Sequence, residues 1–241
     1  MGAEPARIGA GGWAGSGAIN SLPTTANPTA SLSFAESLGT IGLYLQGQST
    51  GSQTIQLTAN CTCESFQLVH ALAGGTSVLD LNGFTLITQN VVIANLIGAG
   101  ADNATILVGT GTLDMRHNTN FGALTTTGTY TLTVTTGSVL FSVGSLSIGR
   151  TSGNTVTFGS NTAWTFDVNS AVSLAATATL NAPNASGSFT IAHNFEVIGT
   201  LNHDNGTATF DGTVNSPILG TSVTFHNLTV NRAGGTFVRT N

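Results

Sequence analysis

The sequence predicts an all-β chain folded as a right-handed parallel β-helix, a β-solenoid of about six coils with an irregular N-terminal cap. Three observations carry this. Apolar and hydroxyl residues alternate in runs of strand length, as in "GTATFDGTVNSPILGTSVTFHNLTVN" at 206–231, the period-two pattern of a half-buried strand. The runs break at Gly, Asn, Ser or Pro. From Thr76 the layout repeats at near-regular intervals, with blocks beginning at Thr76, Ala104, Thr129, Asn154, Thr179, Thr207 and Thr236, a period within the range of solenoid repeats.

Residues 1–30 are rich in Gly, Ala, Ser, Asn and Pro and read as a flexible N-terminal arm. "GAGGWAGSG" at 9–17 lacks the Lys of a phosphate loop. Residues 31–75 alternate less regularly and read as a cap region. Residues 76–241 are the solenoid repeats; the block from Thr129, "TYTLTVTTGSVLFSVGSLSIGRTSG", holds three short alternating runs, one turn of a three-stranded coil. A β-sandwich is the rival fold. It calls for hairpin turns between successive runs, yet "NG" occurs only at Asn82–Gly83 and Asn205–Gly206 and "DG" only at Asp211–Gly212.

The most repeated element is Thr-x-Thr followed by an apolar residue: "TLTV" at 131–134, "TVTF" at 155–158, "TATL" at 177–180 and "TATF" at 207–210. Strand geometry sends Val134, Phe158, Leu180 and Phe210 inward and Thr131, Thr133, Thr155, Thr157, Thr177, Thr179, Thr207 and Thr209 outward. Stacked coils then align these threonines into one surface ladder. A simple preference for β-branched residues on exposed strands is the favoured explanation of them over a dedicated recognition face.

Composition excludes several functions. Only 6% of residues are charged, with five Arg and no Lys, and the formal net charge is −5. Nucleic acid is excluded as a partner because a phosphate backbone needs a clustered basic footprint. The longest apolar stretch, "NVVIANLIGAGA" at 90–101, falls short of the ~20 residues of a spanning helix, so no membrane span is expected. The amino terminus lacks a basic region leading into an apolar core and is not an intact signal peptide.

"GTLNHDNGTATFDGTVNSPILGTSVTFHNLTVN" at 199–231, with "LDLNGFTL" at 79–86, resembles the repeat region of very large secreted adhesin-like proteins of microbial surfaces. The resemblance covers the last two coils well and half the chain loosely. It implies a right-handed parallel β-helix, exported, acting at the cell surface in attachment or as an extracellular scaffold, without a cofactor.

A carbohydrate-acting enzyme on such a fold needs carboxylates gathered on one face. Only Asp204 and Asp211 fall in one repeat, with His203 and His226 the residues able to join them. The reading favoured here is that "NHDNG" is a turn and His226 an ordinary strand residue. Cys61 and Cys63 read as small buried thiols, with Glu64 and His70 the nearest further donors of a weak metal pattern. No catalytic residue, metal or cofactor is assigned. The expected function is a non-enzymatic extracellular structural or adhesive solenoid, whose partners are further copies of itself, end to end in a filament, and cell-surface or environmental polysaccharide. The alternatives are the enzyme and an ice- or surface-binding protein using the ladder. The Thr-x-Thr elements begin at Thr131, Thr155, Thr177 and Thr207, and these unequal steps predict a ladder interrupted by a loop.

Overall fold

Parallel stacking organises the described strands from the first to the last. The computed structural model describes residues 7–8, 29–34, 42–47, 52–70, 76–93, 103–121, 129–133, 140–149, 155–159, 162–220, 223–234 and 237–240. Among them the regular secondary structure is all strand. The protein is a parallel β-solenoid, not a sandwich.

The first sheet has nine strands in the order β1 (Arg7–Ile8), β2 (Thr29–Phe34), β4 (Ser52–Leu57), β6 (Thr76–Asp80), β8 (Asn103–Leu107), β10 (Thr129–Thr133), β12 (Thr155–Phe158), β15 (Ala178–Asn181) and β18 (Thr200–Asn202). The second sheet begins with β3 (Gly42–Gly47) and the long strands β5 (Cys61–His70), β7 (Thr85–Ile93), β9 (Thr112–Phe121) and β11 (Leu140–Ile148). Pairing shifts register at Thr88/Val91 and Val143/Ser145, the mark of a bulge that bends a strand without ending it.

At β11 the sheet forks. Leu140–Val143 pair with β13 (Thr165–Val168), which leads to β16 (Ser188–Ile191), β19 (Thr207–Phe210) and β21 (Asn227–Val230). Leu146–Ile148 pair with β14 (Val172–Leu174), which leads to β17 (Phe195–Val197), β20 (Ser216–Leu219) and β22 (Phe237–Thr240).

The coil count differs slightly from the six expected, and stacking is not confined to the segment after Thr76. Strands β4 and β5, within the 31–75 segment read as a cap, pair in parallel with β6 and β7. Of the 1–30 arm, only Arg7–Ile8 and Thr29–Ala30 are described, all of them in strands; its other residues lie outside the described set.

Apolar side chains fill the interior as the alternation requires. Leu180 and Phe210 are fully buried, as are Leu79, Ile106, Leu113, Phe166 and Phe195. Val134 lies outside the described residues, and so does the side chain of Phe158. The partner of Phe158 in β10 is Leu132, not Val134. A shift by one full strand period keeps inward and outward positions on their own sides.

The Asn-Gly pairs close corners between parallel strands, not hairpins. Asn82 and Gly83 have φ of 50° and 81°, and Phe84 N–H donates to Leu81 C=O at 2.8 Å. Asp204 and Asn205, at 41° and 60°, repeat this before Gly206, whose N–H donates to His203 C=O at 2.8 Å. Positive φ at both central residues is the primed-turn geometry that Asn, Asp and Gly tolerate.

Candidate functional surface

The strand registers sort the eight threonines of the expected ladder onto two sheets. Thr131, Thr157 and Thr179 are direct neighbours in β10, β12 and β15, and Thr129 stands level with Thr155. Thr177 precedes the strand that holds Thr179, and its buried hydroxyl has no partner among the described residues. Thr133 pairs with Leu107. Thr207 and Thr209 belong to β19 of the second sheet, so the single ladder expected from the motif does not form.

A longer column replaces it. On the first sheet Thr29 pairs with Thr54, Thr54 with Val78, Val78 with Thr105 and Thr105 with Thr131, after which Thr157, Thr179 and Thr200 follow. Eight successive strands, β2 to β18, thus share one register position, held by threonine in all but β6, where it is valine. Thr54, Val78, Thr105 and Thr179 are half-buried and Thr200 is exposed. Their chain neighbours Ile55, Leu79, Ile106 and Leu180 are buried, so the column faces out on those strands. The expected interrupting loop is absent from this face: the step from Thr131 to Thr157 is longer than that from Thr179 to Thr200, yet both pairs of strands keep register.

The second sheet carries a more mixed array. Asp167, Thr190, Thr209 and Thr229 form one outward column, and Thr190 Oγ1 donates to Asp167 Oδ1 at 2.6 Å. At the end of the first sheet, Asn202 Nδ2 donates to Asn181 Oδ1 at 2.8 Å and Asn181 Nδ2 to Gly159 C=O at 3.3 Å. Side-chain amides there continue the backbone ladder outward.

The other candidate residues occupy structural roles. His203 and His226 lie with ring centroids 5.7 Å apart and planes tilted by 34° at a shallow hollow also lined by Pro183, Leu201 and Phe225. Asn205 N–H donates to His203 Nδ1 at 3.3 Å, which leaves the proton of a neutral ring on Nε2. His226 lies at a bend just before β21 instead of within a strand. Asp204 sits in the corner turn and Asp211 is exposed at the end of β19. Among the described residues, no three His, Cys, Asp or Glu side chains are grouped to hold a metal ion.

Other carboxylates are tied to neighbours. Asp80 accepts from Gln56 Nε2 at 3.0 Å and from Asn82 N–H at 2.8 Å, and Asp114 pairs with Arg116 at 3.0 Å. Cys61 and Cys63 are free, buried thiols on one side of β5. Their mutual hydrogen bond and burial push the Cys61 thiol well above the ordinary range; the same bond draws Cys63 down against the opposing effect of burial. Glu64 is exposed, and the side chain of His70 lies outside the described set.

Comparison with protein-family models, with curated proteins and with solved structures gives no match.

Proposed function

We propose that this protein is a non-enzymatic structural or adhesive solenoid that acts outside the cell or on its surface. One observation carries the reading: outward columns on both sheets hold hydroxyl side chains over successive rungs, while Asp80, Asp114 and Asp167 are engaged by neighbours along the strands. A hydrolase or lyase instead needs carboxylates left free to move protons. The resemblance to secreted adhesin-like repeats supports export and attachment, with a neutral polysaccharide as the partner.

End-to-end association belongs to the same proposal. Leu228 and Val230 of β21 occupy the inward columns of Ala208 and Phe210, yet they are 43% and 47% exposed. A further parallel rung would cover them and pair the strand edge; in this proposal it comes from the N-terminal region of a second copy.

The test incubates the purified chain with insoluble neutral polysaccharides and measures cosedimentation together with sugar release. Cosedimentation without release is expected. Release of soluble sugar would overturn the non-enzymatic reading. Light scattering with and without residues 1–30 checks assembly, and a concentration-independent monomer would remove the filament.

A further inference from the structure

We infer that the threonine column of the first sheet is a binding plane for crystalline water, which makes the solenoid an ice-binding surface. This rests on the proposal that the fold serves as a surface, and it names the surface's ligand.

The position is occupied by Thr29, Thr54, Val78, Thr105, Thr131, Thr157, Thr179 and Thr200. Rungs of a parallel sheet repeat at ~4.8 Å, so eight of them present a row about 34 Å long. Threonine offers a hydroxyl and a methyl group, and valine keeps the methyl group and the shape. General strand preference would also admit Ile, Tyr or Phe here. On the same strands, the column on one side reads Ser52, Thr76, Asn103, Thr129 and Thr155, and the column on the other reads Ser31, Gln56, Asp80, Leu107 and Thr133. The first of these is polar and uncharged throughout, and the second varies in chemistry, from a hydroxyl to a carboxylate and a leucine. The central one keeps its chemistry although coil length differs between the Thr131–Thr157 step and the Thr179–Thr200 step.

Charge and shape choose the ligand. The central column has no ionisable group, so neither a polyanion nor an ionic mineral has a counterpart on it. Neither flanking column holds an aromatic ring on which a sugar would stack. What remains is a neutral lattice that accepts and donates hydrogen bonds at fixed intervals. Evenly spaced hydroxyls hold first-shell waters in such an arrangement, and the intervening methyl groups leave those waters to bond to one another.

The experiment measures partition of the full chain into a slowly grown ice fraction and its inhibition of ice recrystallisation. Circular dichroism and the thermal midpoint confirm that each variant is folded. Wild-type protein should be enriched in the ice, and Thr179→Tyr should abolish that enrichment because the ring breaks the plane. Thr200→Tyr, at an exposed position, should do the same with less demand on packing. Thr179→Val should retain most binding, as Val78 already interrupts the column. Ser173→Tyr, on the fork of the second sheet, should bind ice as the wild type does. Exclusion of the wild type from ice, or equal loss in folded Ser173→Tyr, overturns the inference. Exclusion from ice with polysaccharide cosedimentation intact would overturn it alone and leave the surface reading standing.

Discussion

The coils before the fork and those after it enclose different cores with the same pair of sheets. Before it, bent strands of nine or ten residues such as β7 and β9 run through two faces, and the described interior is mostly aliphatic and sulfur-bearing, with the ring of Phe66 among Leu79, Leu86, Ile106, Leu113, Met115, Cys61 and Cys63. After it, strands are three or four residues long, and a run of aromatic rings joins Val168, Leu174, Leu180 and Ile191 in the interior. Trp164 stacks on Phe166 at 5.0 Å, Phe166 on Phe189 at 4.9 Å, and Phe195 meets Phe210 and Phe225 at 6.1 and 5.8 Å. The coil that carries Leu113 to its partner Phe141 is much longer than the one that carries Phe189 to Ala208. Coil length thus varies while register is kept on the faces. A face can hold one chemistry while the core behind it changes.

The largest effect should come from the aromatic half. Phe195 is fully buried and meets three other rings, so Phe195→Ala should cost about 3–5 kcal/mol, against roughly 2–5 kcal/mol for Leu113→Ala. Ring pairs add about 0.5–1.5 kcal/mol each beyond area burial, which places the first change at the top of its range. Urea unfolding of both variants checks this; a larger loss for Leu113→Ala would break the comparison.

A smaller loss is expected at a corner. A Cβ on Gly212 would lie 1.6 Å from the carbonyl oxygen of Ala192, backbone that cannot step aside without shifting a rung. Gly212→Ala should cost about 1–3 kcal/mol as an overpacked site. A thermal midpoint equal to that of the wild type would show that the narrow coils have slack, contrary to the tight short-coil packing described above.

Much of the architecture was legible in the sequence, because period-two alternation and a near-regular repeat are direct consequences of strand geometry and stacking. Leu180 and Phe210 went inward as read. The threonine column was only partly legible. Thr-x-Thr suits any exposed strand, so the motif alone does not tell the first sheet from the second, and cutting from Thr179 to Thr207 passed over β18 with Thr200. Thr29, Thr54 and Thr105 were missed because their neighbours break the motif: Thr54 lies in "QTIQ" and Thr105 in "ATIL". The signal that finds them is register, and register depends on corner lengths that composition does not encode. His203 and His226 meet through stacking of adjacent coils, which no local spacing reveals.

The smallest effect is expected where the candidate chemistry was sought. Asp204 holds a φ of 41° in the corner that ends at Gly206, and Asp211 is exposed beyond β19. Asparagine tolerates the left-handed region at least as well as aspartate, and surface substitutions away from special features shift stability by about 0.5 kcal/mol or less. The double variant Asp204→Asn, Asp211→Asn should therefore unfold within about 0.5 kcal/mol of the wild type and bind polysaccharide and ice as before. Both residues lie outside the threonine column, Asp204 in the corner after β18 and Asp211 just beyond β19, so the variant also separates corner chemistry from face chemistry. Loss of a sugar-releasing activity in the double variant would place catalysis at that corner and end the non-enzymatic reading; loss of ice binding alone would move the binding plane away from the first sheet.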